Sequence, residues 1–438
     1  MPFNPFIKEI GEALTPADLD ELINRKVAEG LYVEYKGTFP TNEKIANTIA
    51  SFANSYGGWY IVGVEADKVN NVATKVTGFP LNDHPDPIAK IREIAKERID
   101  PFPAISPQVV TLNAGTAVLV VHIPGNQDKP FISSNGRIYR RVADSSDPVF
   151  EKDRYTIDRL YEEGRQSSKE FESFLEDDEE IDNRHAAWLK VFLTPHPEEI
   201  TAVEVFFTED IERLIKRSNQ ERPIPLFGIH GITGNAPFSS FQITHQSVIL
   251  SQRPPVYLGS ASTELELFTD GRGKLSIPLT LSAYPAEPEL KSLSSPTTRK
   301  VIEALSSRES DEFLFLRFLN VAEMTAGVGA LLSFYLEWVK EHGPVSEFRV
   351  AIKLEGVRNV VPFFDAEEWG QYVKNYGLPV MRRERVQIPS GVRKSRLWDA
   401  SPSAKSPLLE MICYMVGHAL GLPHDLQSGA FFKTYGSS

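Results

Sequence analysis

The sequence predicts an α+β protein: an N-terminal mixed sheet with flanking helices, then a C-terminal mixed α/β domain whose fold the sequence leaves unnamed. Three observations predict it. A helical apolar period over residues 19–27 gives way to alternation at 31–36, then to a second helical stripe and a continuous apolar run at Trp59–Val64. Two hairpin patterns follow, one in each half. Between the halves lies a polar, increasingly acidic stretch, 166–182, ending in Glu176-Asp-Asp-Glu-Glu180.

The elements follow in order. Thr15-Pro16-Ala-Asp18 supplies a cap, a proline at the first helical position and an acid in the first turn, and Leu19, Leu22, Ile23 and Val27 form the stripe. Residues 31–36 alternate, with Leu31, Val33 and Tyr35 on one face and Tyr32, Glu34 and Lys36 on the other, which predicts a half-buried strand. Glu43–Asn54 predicts a helix that Gly57-Gly58 ends, leading into the central strand Trp59–Val64. Asp86–Ile99 predicts a third helix. Val109–Leu112 and Ala117–Ile123 predict a hairpin around Asn113-Ala-Gly115, Arg137–Val142 a short strand, and Arg154–Gly164 a closing helix.

The chain therefore divides into a domain over 1–165, an acidic linker over 166–184 and a domain over 185–438. In the latter, Trp188–Leu193 and Glu204–Phe207 predict strands. Thr263–Thr269 and Lys274–Leu281 predict a hairpin around Asp270-Gly-Arg-Gly273. Phe313–Lys340 predicts a buried helical segment broken near Gly327–Gly329, and Leu408–Leu420 a helix closed by Gly421 and Pro423.

Composition narrows the class. The 438 residues are 41% hydrophobic and 24% charged, ordinary for a globular protein. A single cysteine, Cys413, excludes an internal disulfide framework and a cysteine-based zinc site, and fits a reducing compartment. No apolar run reaches membrane-spanning length and the N-terminus has no signal-peptide pattern, so a cytoplasmic protein without membrane contact is expected. A net charge of −12 requires any nucleic-acid contact to come from a local basic patch.

The residues that carry chemistry cluster early. Glu34 and Lys36, two apart on a strand, project on one face. Glu29 precedes the strand, and Glu65 follows the apolar run, with Asp67 as a close substitute. Carboxylates at strand ends can hold divalent ions that polarise a phosphodiester and acidify an attacking water, and a neighbouring lysine can steady the water or the developing charge. On spacing alone the plain alternative, an exposed strand pair worth little, fits better, because Glu-x-Lys on a strand occurs often by chance.

Residues 29–65 also resemble the signature of the Schlafen AlbA_2 domain family. The matching pieces are Glu29-x4-Glu34-Tyr-Lys36 and Ile49-Ala-Ser-Phe-Ala-Asn-Ser-Tyr-Gly-Gly-Trp-Tyr-Ile-Val-Gly-Val64, then Lys129-Pro-Phe131 and Ile138-Tyr-Arg-Arg141. The resemblance covers roughly residues 15–165 and is silent about 185–438. It implies a metal-dependent endoribonuclease with Mg2+ or Mn2+ held by Glu29, Glu34 and Glu65, with Lys36 assisting. The third acid of the family falls in Glu65-Ala66-Asp67, where Ala66 stands in or beside the expected column. The resemblance further implies a homodimer that recreates a two-lobed groove, a preference for structured RNA such as tRNA over DNA, and a part in bacterial defence or stress.

Lys129, Arg137, Arg140 and Arg141, interleaved with Tyr139, make the best basic patch of this half, suited to phosphate contacts beside a base-stacking ring. The alternative is surface arginines paired with Asp144 and Asp147. Asn54 with Gly57-Gly58 could form a phosphate nest, though a tight turn explains them better. Gly271-Arg-Gly-Lys274-Leu-Ser276 fails the phosphate-loop pattern, so no ATP is expected. His418-Ala-Leu-Gly-Leu-Pro-His424 lacks the glutamate and spacing of a zinc protease, so no zinc is expected either. The expectation is a divalent-metal-dependent nuclease whose C-terminal domain selects a protein partner, substrate or trigger. The alternative is a non-catalytic nucleic-acid-binding or regulatory module that keeps the fold.

Overall fold

A computed structural model describes residues 3–8, 10–67, 69–113, 115–125, 128–142, 145–176, 187–196, 208–221, 225–228, 231–235, 238–252, 262–279, 281–282, 295–306, 316–342, 347–388, 407–423 and 426. The chain forms two compact units, the first built on Met1–Asp178 and the second on most of the remainder. The protein is α+β, as its sequence predicts.

Unit 1 opens with α1 (Pro16–Asn24), where the Asp18 carboxylate accepts from the Thr15 backbone N–H at 2.7 Å and its hydroxyl at 2.6 Å. Strand β1 (Val33–Lys36) pairs in parallel with β2 (Gly57–Val62), and α2 (Asn42–Ala53) makes the crossover. β2 is buried along its whole length. The run anticipated as Trp59–Val64 breaks at Gly63, whose φ of 103° turns the chain out of the sheet. A Cβ there would meet the Gly78 Cα and Val118 Cγ2, both at 3.1 Å. Beyond the turn, β3 (Val64–Ala66) pairs instead with β4 (Ala73–Val76) in a separate ribbon, which carries Glu65 with it.

After β5 (Phe79–Pro80), α3 (Pro87–Arg98) begins on Asp86, whose carboxylate accepts from the Ala89 N–H at 2.9 Å. Following the short β6 (Ile99–Asp100), the anticipated hairpin is β7 (Ser106–Asn113) and β8 (Thr116–Pro124). Asn113 Oδ1 accepts from Gly115 and Thr116 in its turn. The main sheet runs β1-β2-β8-β5, with β7 on the other edge of β8. One face packs on α2 and α3 through Ile49, Phe52, Tyr60 and Leu119. The other packs on α1 and the N-terminal segment through Leu19, Trp59, Ile61 and Val120. β1 is therefore buried on both faces, not half-buried.

The short β9 (Ile132–Ser133) precedes β10 (Tyr139–Val142), which pairs with β11 (Ser145–Phe150), a strand the sequence reading lacks. Helix α4 (Arg154–Glu176) continues past Gly164, so residues 166–176, anticipated as linker, are helical. Phe171, Phe174 and Leu175 bury one side of the helix and its acids face outward, which makes the stretch look like a linker by composition. Residues 177–184 lie outside the described residues.

Unit 2 centres on a seven-stranded sheet that contains β12 (Ala187–His196), with the anticipated hairpin, 264–268 and 273–279, beside it. The predicted strand Glu204–Phe207 and His424 lie outside the described residues. The segment anticipated as a broken helix is a strand, Arg317–Asn320, followed by a helix, Val321–His342, that runs unbroken through Gly327 and Gly329. A helix also covers Pro407–Ala419, and Gly421 follows at a φ of 71°. Among the described residues no helix is long and apolar enough to cross a membrane.

Candidate functional site

The β1–β2 register sets Glu34 opposite Tyr60, on the face covered by α2. Alternation alone would leave this carboxylate in water, but β10 closes over it. The Arg141 guanidinium donates through Nη1 to Glu34 Oε2 and through Nη2 to the Gly30 carbonyl, and lies 4.7 Å from the centre of the Phe52 ring. Lys36 Nζ holds the other oxygen, Glu34 Oε1, at 2.6 Å. The side chains of Arg141 and Glu34 are 0% and 1% exposed, and that of Lys36 is 32% exposed.

Glu29 completes the group. Its Oε1 accepts from the Tyr35 N–H at 2.7 Å, and its charge couples to Lys36, Glu34 and Arg141. Burial raises its pKa above the ordinary carboxylate value, and the hydrogen bond and the two cations only partly oppose this. Two acids and two bases thus balance, as charges withdrawn from water require. The Tyr60 hydroxyl, buried without a hydrogen-bond partner, has its pKa pushed up by burial and then by the Glu34 charge.

The third acid does not join them as a bonded partner. Glu65 is exposed on β3, its side chain running past Gly37, where a Cβ would come within 2.9 Å of Glu65 Cγ. Asp67 shapes the β3–β4 turn: Oδ1 accepts from the Val69 N–H at 3.1 Å, and Oδ2 from the Asn70 N–H at 3.1 Å and Asn70 Nδ2 at 2.9 Å. These bonds hold its pKa low. Among the described residues no three Asp, Glu, His or Cys side chains form a group able to hold a metal ion. As the acids stand, they do not fit a divalent cation: both Glu34 oxygens are held by the protein's own cations, and Asp67 is engaged in its turn.

The anticipated basic patch is also reassigned. Arg141 is internal. Arg140 pairs with Glu151 at 2.8 Å, both side chains largely covered. Lys129 Nζ donates to the Ser55 carbonyl at 2.8 Å and to Glu163 at 3.2 Å. Tyr139 is 8% exposed, with its hydroxyl accepting from Asn135 Nδ2 at 2.9 Å, so its ring cannot take a stacked base without leaving the core. Arg137 is exposed, 4.9 Å from the Phe150 ring, which Lys152 approaches at 5.6 Å. Asp144 lies outside the described residues, and the acids found opposite Arg140 and Arg141 are Glu151 and Glu34.

Two residues position this arrangement: Asn54, which the sequence offered as part of a phosphate nest or a tight turn, and Ser55, for which it offered no role. Asn54, fully buried after α2, donates to the Phe131 and Tyr139 carbonyls at 2.7 and 3.0 Å and accepts from the Phe131 N–H at 2.7 Å. Ser55 Oγ accepts from the Arg141 N–H at 2.8 Å. Together they tie β9 and β10 to the end of α2. Asn54 thus serves as a structural clasp, not a phosphate nest.

Residues 29–150 match the family model described as Schlafen, AlbA_2. No curated protein matches the chain significantly. Among solved structures, the DIP2311 protein of Corynebacterium diphtheriae is similar at 25% identity and a TM-score of 0.20, over 30% of this chain and 30% of that one. The N-terminal domain of a protein from Nitrosomonas europaea, described as related to the ATP-dependent DNA helicase RecG, is similar at 24% identity and a TM-score of 0.21. That match covers 31% of this chain and 93% of the other.

Proposed function

Starting from a Schlafen AlbA_2 match over residues 29–150, we propose that unit 1 is a nucleic-acid-binding module that holds its ligand without cutting it. The resemblance supplies the ligand class. The observation that carries the choice of holding over cutting is the state of Glu34, whose two oxygens are engaged by Arg141 and Lys36 in a buried pair. A metal would have to displace a guanidinium from a site where charge already balances, at several kcal/mol for each ion left unpaired.

A second reading, metal-dependent cleavage of structured RNA, is favoured by the convergence of Glu29, Glu34 and Lys36 in one electrostatic group with Glu65 running past the next residue. In it, Glu29, Glu34 and Glu65 would take Mg2+ or Mn2+ once Arg141 withdrew. Unit 2 would then select partner or trigger, and a homodimer would complete the groove.

One experiment separates the readings. Labelled tRNA and single-stranded DNA are incubated with the full chain and with Glu34→Gln, with Mn2+ and without, and both bound fraction and strand integrity are recorded. Binding with intact strands supports the module. Mn2+-dependent cleavage that Glu34→Gln abolishes overturns it in favour of the nuclease. No binding by either protein overturns both.

A further inference from the structure

The surface beside the buried pair carries a row of aromatic rings that the arrangement above does not use. Phe3 stacks on Tyr32 with ring centres 5.2 Å apart and planes 19° apart, and Tyr32 lies 6.3 Å from Tyr56 at 52°. Phe3 is 43% exposed and Tyr56 is 62% exposed. The row is built firmly. The Trp59 indole N–H donates to the Phe3 carbonyl at 3.0 Å, and the Trp59 N–H donates to the Tyr32 carbonyl at 2.7 Å. Tyr56 stands on the tight turn into β2, where Gly57 has a φ of 73° and a Cβ would meet the Ile123 carbonyl oxygen at 2.5 Å.

One exposed cation is anchored near the Phe3 end: Arg25 Nη1 donates to the Pro5 carbonyl, two residues from Phe3, at 3.0 Å. Contiguous exposed rings are unfavourable in water and favourable against another flat apolar surface. Exposed rings with a cation near one end suit a ligand with flat faces on an anionic backbone.

We infer that Tyr56, Tyr32 and Phe3 form a stacking platform for unpaired bases of single-stranded nucleic acid. The inference rests on the nucleic-acid reading above and deepens it. The charge of the molecule points the same way. Arg140, Arg141 and Lys129 are committed to acids of the protein, and the chain carries a net charge of −12. Affinity must then come from bases more than from phosphates, with a shallow dependence on salt.

The test uses the full chain and a single-stranded oligonucleotide carrying 2-aminopurine, whose fluorescence is quenched on stacking. The same strand made abasic, and its duplex, serve as the other arms. The expected result is quenching by wild type and by Tyr56→Phe, roughly tenfold weaker binding by Tyr56→Ala, and little binding of the abasic strand or duplex. An abasic strand that binds as tightly as the normal one, or a Tyr56→Ala protein that binds like wild type, overturns the platform and leaves the nucleic-acid reading standing. If the folded chain binds none of the three, both fall together.

Discussion

Arg141 and Glu34 stand 107 residues apart in the chain and meet as an ion pair from which water is excluded on both sides. Such a pair is no measure of stability by itself, but halving it leaves a buried charge under-compensated, Glu34 with Lys36 alone or Arg141 with the Gly30 carbonyl alone. Arg141→Met and Glu34→Gln should each lower unfolding free energy by about 3–5 kcal/mol. The double variant should lose less than the two losses added together. Urea titration of the four proteins measures this. Single losses under about 1 kcal/mol would put the pair with ordinary surface pairs.

Asn54 makes a prediction of the same kind without charge. Asn54→Ala leaves the Phe131 N–H and two carbonyls without their side-chain partner, at about 1–3 kcal/mol for each group left unsatisfied. A total loss of at least about 2 kcal/mol is expected, with faster hydrogen exchange at the Phe131 amide. Unchanged exchange there would contradict the clasp.

His122, buried on β8 with its ring 4.6 Å from that of Trp59, has its pKa lowered by burial to about 4. A depressed histidine pKa means that the folded state keeps the ring neutral while the unfolded chain takes a proton below about 6.5. Its contribution is fully present above that pH and is lost as pH falls toward 4, amounting to on the order of 3 kcal/mol. Urea midpoints from pH 7 to 4.5 should fall, and His122→Gln should flatten that slope. Equal slopes for the two proteins would rule the histidine out.

Glu29 runs the other way. Its raised pKa lets the folded chain keep a proton that the unfolded chain has released, so the ionised carboxylate weighs against folding at neutral pH and the burden eases as pH falls. Glu29→Gln, which keeps an oxygen for the Tyr35 N–H, should melt higher than wild type at pH 7. The gain should shrink at acid pH. A lower melting temperature at pH 7 would show that its coupling to Lys36 and Arg141 outweighs its burial.

The periods of the N-terminal half were legible because apolar spacing follows backbone geometry directly: α1, β1, α2 and the β7–β8 hairpin all lie where their patterns place them. The burial of Glu34 was not legible. Alternation assigns it to the outward face, and only the arrival of β10 decides otherwise. Strand β11 was hidden because Ser145-Ser146-Asp147-Pro148 reads as loop. The helix at 321–342 survives Gly327 and Gly329, at about 1 kcal/mol each. Val328, Leu331, Leu332, Tyr335 and Trp338 offset that cost by burial. At the site, Glu29, Glu34 and Lys36 do come together, whereas the spacing around Glu65 could not reveal that Gly63 turns that residue into another ribbon.

The Glu34–Arg141 pair also imposes an order on synthesis. A chain leaving the ribosome presents β1, α2 and β2 while Arg141, the buried one of the two cations on Glu34, has yet to be made. Until Arg141 emerges, the cation on Glu34 is the partly exposed Lys36 alone, so the nascent sheet must leave that carboxylate open to solvent. The earliest strands of this domain are therefore among the last to reach their final surroundings, and a nascent chain cut short before Arg141 should bind chaperones where one extended well past it does not.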